Sequence, residues 1–212
     1  EMCIRDRYSS EKKSFLDASP KNFRFLNIDL IDIKFERYDF IYNLACPASP
    51  PRYQSNQLYT LRSSTDSFSR LLDMAVNHSI PIYHSSTSEI YGDPLEHPQD
   101  ENYFGNVNTW GPRACYDESK RLSETLSYIY KQEFGLDIKV GRIFNTYGPL
   151  MDINDGRVVS NFIAQALKGE DLTIYGDGSQ TRSLCYIDDL VGLLVKIFEE
   201  NLIFDKPFNM GN

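Results

Sequence analysis

Three short apolar runs, each ending in a polar or proline-rich segment and leading on to an amphipathic helix, constrain this chain more than any other feature. Phe40–Ala45 (FIYNLA) ends at Cys46-Pro47-Ala48-Ser49-Pro50-Pro51, Ile80–His84 (IPIYH) ends at Ser85-Ser86-Thr87-Ser88-Glu89, and Ile138–Phe144 (IKVGRIF) ends at Asn145-Thr146-Tyr147-Gly148-Pro149. Runs of this length suit strands covered on both faces. Phe23–Asp29 alternates apolar and polar residues and predicts a further strand. Leu58, Leu61, Thr65, Phe68, Leu72 and Ala75 recur at three-to-four spacing and predict one long helix. Tyr116–Phe134 predicts a second, and Val159, Phe162, Ile163, Ala166 and Leu167 a third. Val191, Leu194, Val195 and Phe198 line a fourth, with Asp188 as its cap. Strands alternating with helices give βαβ units, hence an α/β fold with a doubly wound parallel sheet. Ligands of such sheets bind beyond the carboxyl ends of the strands, so the segments after Ala45, His84 and Phe144 are the ones to search.

Composition narrows the function. The net charge of −8 argues against a nucleic-acid partner, which needs a basic footprint. The longest apolar run, about Leu190–Val195, is too short to span a bilayer, and Glu1–Asp17 is too polar for a signal peptide. Cys3, Cys46, Cys115 and Cys185 are scattered without metal spacing, and His78, His84 and His97 form no triad. Free thiols, no metal and a cytoplasmic location are the expectation. The first glycine is Gly92, which excludes a glycine-rich phosphate loop before it. Glu1–Arg7 carries no pattern that fits the rest and is left outside the expected fold.

Tyr116 and Lys120 lie one helical turn apart and share a face. An ammonium about 4 Å from a phenol favours the phenolate by roughly 4 kcal/mol at an effective dielectric near 20, about three pKa units. A tyrosine so shifted can act as a general base near neutrality. The same spacing recurs at Tyr8 and Lys12, which have no such context. The context of Tyr116 is the hydroxyl cluster Ser86-Thr87-Ser88 with Glu89 at the end of the preceding predicted strand.

At this point the chain resembles the extended short-chain dehydrogenase/reductase family, and within it the UDP-glucuronic acid decarboxylases. The resemblance runs from about Asn22 to Asn212. It is carried by Tyr42–Pro51 (YNLACPASPP), Ser85–Pro94 (SSTSEIYGDP), Gly105–Asn108 (GNVN), Cys115–Arg121 (CYDESKR), Arg142–Pro149 (RIFNTYGP), Asp155–Phe162 (DGRVVSNF), Thr173–Ser183 (TIYGDGSQTRS) and Cys185–Leu190 (CYIDDL). Related 4,6-dehydratases have Thr-Asp-Glu where this chain has Thr87-Ser88-Glu89, so the acid that expels a hydroxyl there is replaced by Ser88.

The resemblance implies a Rossmann-like fold that lacks its first βαβ unit, with a small partial substrate-binding subdomain. It implies a partial NAD-binding domain over 8–144, a substrate segment over 145–187 and a return to the first domain over 188–212. It implies NAD as cofactor, bordered by Asp29, Leu30, Leu44, Ala45 and Cys46, with Tyr116 and Lys120 holding the nicotinamide ribose. Tyr116, Lys120, Thr87, Ser88, Glu89 and Arg182 become the catalytic set. Asn145, Arg157, Val159, Ser160, Asn161, Tyr175, Gln180 and Arg182 become contacts to UDP-glucuronate. The implied reaction is decarboxylation to UDP-xylose through a 4-keto intermediate, in a homodimer built on a four-helix interface from Leu58–His78 and Tyr116–Phe134. The family's glycine-rich loop and first helix have no counterpart, which implies a truncated protein, and a membrane anchor in a preceding segment stays open. Another nucleotide-sugar enzyme of the dehydratase or epimerase type, or a catalytically silent fragment, are the alternatives.

Overall fold

A computed structural model describes residues 2–4, 23–26, 28, 30–34, 37–153 and 155–211. Asp29, Tyr8 and Lys12 lie outside the described residues. The order begins with β1 (Met2–Ile4) and β2 (Phe23–Phe25), then β3 (Ile41–Asn43). Helices α1 (Pro50–Ser55), α2 (Gln57–Ser64) and α3 (Asp66–His78) follow, and then β4 (Ile82–Thr87), α4 (Ala114–Phe134) and β5 (Ile138–Ile143). The chain continues through β6 (Asn145–Tyr147), α5 (Val158–Lys168), β7 (Leu184–Tyr186), α6 (Ile187–Glu199) and β8 (Phe208–Met210).

The main sheet is parallel throughout, in the order β3-β4-β5-β8. Side chains of β4 alternate between its two faces, and the core divides accordingly. Ile82 packs with Phe68, Leu71, Leu72, Met74 and Ala75 of α3 and with Ile138 and Val140 of β5. Tyr83 packs on the other side with Met210, Cys185 and Leu190, Leu194 and Ile197 of α6. Helices on both faces of a parallel sheet make the expected doubly wound α/β fold. Strands β6 and β7 form a separate parallel pair.

Several details differ from the sequence-based expectation. Met2–Ile4, expected outside the fold, forms a strand parallel to Phe23–Phe25, with Met2 opposite Phe23. The single helix expected from Leu58 onward is two helices that meet at Thr65. Thr65 Oγ1 donates to the Leu61 carbonyl at 3.0 Å, a local bond that competes with regular helix geometry. Strand β4 continues through Ser85, Ser86 and Thr87, which were expected in a loop, because β5 pairs with it as far as Thr87. The cap of α6 is Tyr186, and Asp188 and Asp189 instead sit in the first turn, where carboxylates complement the helix dipole.

Helix α4 buries an unusual stripe. Its inward residues include Ser119, Ser123 and Ser127, while Leu122, Tyr128 and Phe134 are exposed. Small hydroxyl side chains let the helix lie close to the sheet and leave its apolar residues on the outer face.

Candidate active site

The site assembles at the carboxyl end of β4. Thr87 is the last residue of β4, and its Oγ1 accepts from the Glu89 backbone N–H at 3.2 Å, starting a tight turn over Ser88–Tyr91. Tyr116 and Lys120 project from the first turns of α4 and are both buried. The Thr87 side chain neighbours the Tyr116 phenol and favours its ionised form. Thr87, Tyr116 and Lys120 thus all lie near the carboxyl end of β4.

The electrostatics differ from that expectation. Lys120 Nζ donates to the Ser85 carbonyl at 2.6 Å, and its burial lowers its pKa from the usual lysine value. Burial also pushes the Tyr116 phenol well above the ordinary tyrosine range, outweighing the opposite influence of Thr87. The bond that Lys120 makes here goes to a carbonyl and not to the phenol, and desolvation acts on both groups.

Ser88 is half-buried in the turn after Thr87, and Glu89 forms an ion pair with Arg113. Arg113 Nε also reaches Asp117 Oδ2 at 3.4 Å. Burial raises the Asp117 carboxyl, opposed by Arg113. Tyr53 lies stacked on Tyr116, ring centroids 4.9 Å apart and planes 7° apart. The hydroxyls of Ser49 and Tyr53 and Oδ1 of Asp117 are buried without a hydrogen-bond partner. Sequence reasoning passed over Arg113, Ser49, Tyr53 and Asp117. The signal available was position: Ser49 and Tyr53 follow the β3 end, and Arg113 and Asp117 flank Tyr116.

On the cofactor side, Leu44, Ala45 and Cys46 follow β3 as expected, with Leu44 exposed. Ala45 N–H donates to Asn43 Oδ1 at 3.3 Å, and Cys46 Sγ accepts from Ser64 Oγ at 3.1 Å. Leu30 lies in a short helical turn that packs against α3. The donor set fits the nicotinamide-ribose end of NAD: two hydroxyls and an ammonium with one proton engaged face a shelf formed by residues 44–46. No glycine-rich loop precedes Gly92 to cradle the pyrophosphate.

The expected substrate contacts fall into two groups. Asn145 begins β6, and Val159, Ser160 and Asn161 lie in the first turn of α5, with Arg157 at its cap paired to Asp155. Ser160 is buried and donates to the Arg157 carbonyl at 3.0 Å. Tyr175, Gln180 and Arg182 lie in a stretch, residues 170–182, that is exposed throughout. Tyr175 is 74% exposed, and Arg182 donates to the neighbouring Thr181 carbonyl at 2.7 Å. The structure does not bring Arg182 to Tyr116. No cluster of potential metal ligands and no helix long and apolar enough to cross a membrane occurs among the described residues.

The sequence profile described as the NAD dependent epimerase/dehydratase family matches residues 1–211, so the likeness extends upstream of Asn22 and takes in the first strand. UDP-glucuronic acid decarboxylase 1 of Xenopus tropicalis is 46% identical over 214 residues, covering 100% of this chain and 50% of that protein. UDP-glucuronic acid decarboxylase 6 of Arabidopsis thaliana is also 46% identical, covering 100% of this chain and 62% of that protein. The chain thus spans 50–62% of the length of these curated relatives. Among solved structures, UDP-N-acetylglucosamine 4-epimerase from Methanobrevibacter ruminantium M1, in complex with UDP-N-acetylmuramic acid, aligns with a TM-score of 0.85 and 27% identity, covering 99% of this chain and 68% of that one. UDP-glucuronic acid 4-epimerase from Bacillus cereus, in complex with UDP-glucuronic acid and NAD, aligns with a TM-score of 0.80 and 25% identity, covering 94% of this chain and 63% of that one. Fold, site and profile agree: the chain belongs to the NAD-dependent epimerase/dehydratase family.

Proposed function

We propose that this chain carries the catalytic centre of a UDP-glucuronate decarboxylase that forms UDP-xylose. The observation that carries the reading is the meeting of Thr87, Tyr116 and Lys120 at one strand end, with Ser88 where a dehydratase has its acid. The identity to decarboxylases supports the substrate class. NAD, when bound, would supply the hydride acceptor.

Tyr116 takes the proton of the sugar's C4 hydroxyl, with Thr87 sharing that hydrogen bond, and Lys120 holds the ribose end of the cofactor. Oxidation at C4 leaves a ketone with the carboxylate β to it. The C5–C6 bond then breaks, CO₂ departs, and the electron pair moves onto the C4 oxygen, where the Tyr116 and Thr87 hydroxyls stabilise it. Protonation at C5 and reduction at C4 complete UDP-xylose. Glu89 and Arg182 orient the carboxylate end, with Arg182 carried in on the exposed segment 170–182. Asn145, Arg157, Val159, Ser160, Asn161, Tyr175 and Gln180 bind the rest of UDP-glucuronate, and Asp29, Leu30 and residues 44–46 border NAD.

We further assign residues 8–144 to the cofactor domain, 145–187 to the substrate segment and 188–212 to its return. A homodimer through α2, α3 and α4 is supported by the exposed Leu58 and Leu61 on α2 and Leu122 and Phe134 on α4. The free thiols of Cys46, Cys115 and Cys185 suit the cytoplasm. The test is Tyr116→Phe assayed with UDP-glucuronate and NAD: NADH formation and CO₂ release should vanish together. CO₂ release that survives in the variant, or a product other than the pentose in the parent, refutes the assignment.

A further inference from the structure

A closed ring of hydrogen bonds lies beneath the Tyr116–Lys120 pair, and His84 is its least expected member. His84 is 1% exposed, and its ring stacks on Phe68 with centroids 4.0 Å apart. Asn43 Nδ2 lies 3.0 Å from His84 Nδ1 and can only donate, so Nδ1 accepts. The ring proton then sits on Nε2, which donates to Ser123 Oγ at 2.8 Å. Ser123 passes its own proton to the Lys120 backbone carbonyl at 2.7 Å. Lys120 Nζ donates to the Ser85 carbonyl at 2.6 Å, and Ser85 Oγ donates to the Asn43 carbonyl at 3.0 Å. The circuit Asn43–His84–Ser123–Lys120–Ser85 thus returns to its start and ties β3, β4 and α4 together.

We propose that His84 is a positioning residue: a neutral imidazole strut that fixes the turn of α4 bearing Lys120 against the ends of β3 and β4. Two structural arguments favour position over mere packing. An apolar side chain in this place would fill the space under α3 equally well, yet the ring satisfies one donor and one acceptor in directions that only one tautomer meets. The same Asn43 side chain that holds His84 also holds the Ala45 amide at the start of the cofactor shelf, at 3.3 Å. His84 therefore links the lysine to the loop that faces the same ligand. Small displacements of such groups are costly, since a misplacement of about 1 Å can lower turnover by roughly 100-fold.

The inference rests on reading Tyr116 and Lys120 as the catalytic pair, so its test has an arm independent of turnover. In ¹⁵N-labelled protein, the parent chain should show His84 as the Nε2–H tautomer at neutral pH and a slowly exchanging Lys120 ammonium signal. That ammonium signal should be lost in His84→Leu and in Ser123→Ala and return in His84→Gln, whose amide offers both a donor and an acceptor. With NAD and UDP-glucuronate, kcat should fall about tenfold in His84→Leu and Ser123→Ala with KM within about twofold, and recover in His84→Gln. A Lys120 signal unchanged in both deletion variants, a doubly protonated ring at neutral pH, or unaltered kcat in an active enzyme overturns the proposal. A parent chain that shows the signals but no turnover refutes the decarboxylase reading and leaves the ring standing.

Discussion

Replacing Arg142 by methionine should remove the cation that is hydrogen-bonded to a buried carboxylate. Arg142 and Glu124 are 9% and 13% exposed and meet through two bonds, Nη2 to Oε2 at 2.8 Å and Nε to Oε1 at 3.1 Å. Arg142 Nη1 also donates to the Tyr91 hydroxyl at 2.8 Å and to the Glu101 carbonyl at 3.0 Å. The Tyr91 hydroxyl donates in turn to Asn209 Oδ1 at 2.7 Å, so the network reaches from α4 to β8. In the variant, Glu124 would keep only its bond from Ser86 Oγ, now 2.5 Å long. Breaking one side of such a pair costs about 3–5 kcal/mol, against a total stability of about 5–15 kcal/mol for a domain. For a chain of this size that is a fall in Tm of roughly 6–20 °C. Urea denaturation followed by circular dichroism measures the loss. The double variant Arg142→Met/Glu124→Leu should recover most of it, because removing both charges removes the uncompensated one. A single variant within about 1 kcal/mol of the parent would refute the argument, as would a double variant no better than the single.

Other outcomes follow from the same geometry. Burial holds the pKa of His84 well below its ordinary 6.5, so below that pH the unfolded chain takes up a proton that the folded ring refuses. Stability present above pH 6.5 is therefore lost as pH falls, by about 1.3 kcal/mol between pH 7 and 5.5 from this group, and His84→Leu should flatten the slope by that amount in paired denaturation curves. A Cβ on Gly141 would lie 2.2 Å from Met210 Sδ and 2.4 Å from the Tyr83 hydroxyl, so Gly141→Ala should cost about 1–3 kcal/mol by the same assay. At Gly92 the φ of +66° and an Asn106 carbonyl oxygen 2.2 Å from a built Cβ leave only backbone to move, and Gly92→Ala should cost at least as much and free the loop 93–106 to proteolysis. Leu122→Glu, on the outer face of α4, should shift sedimentation from dimer toward monomer without lowering Tm below that of the isolated subunit.

Much of this was legible in the sequence because strand and helix periods are properties of local spacing. The runs around Ile41–Asn43, Ile82–Thr87 and Ile138–Ile143 are strands, and Ala114–Phe134 is a helix within two residues of its expected start. Thr87, Tyr116 and Lys120 were legible as a constellation because the strand–helix order puts their backbones at one sheet end. What spacing could not show is where hydrogen bonds go once water is excluded. Lys120 is bound to Ser85, a pairing set by the approach of α4 to β4. The serine stripe of α4 is a second case: Ser119, Ser123 and Ser127 are polar in type yet face inward. Arg182 illustrates a different limit: a motif fixes a residue's identity, while residues 170–182 stay on the surface.

The continuation of β4 through Thr87 has a consequence for how such a site can change. Thr87 is a rung of the sheet, opposite Ile143, in a strand paired with β5 along its whole length and with β3 along its first half. Shifting its hydroxyl along the strand by one residue would turn every side chain of β4 to the opposite face and exchange the two halves of the core. The position of the Thr87 hydroxyl is therefore as hard to relocate as the hydrophobic interior itself. Ser88 and Glu89, just past the final rung, carry no such obligation. Substitutions at these two positions leave the register of the sheet and both halves of the core as they are.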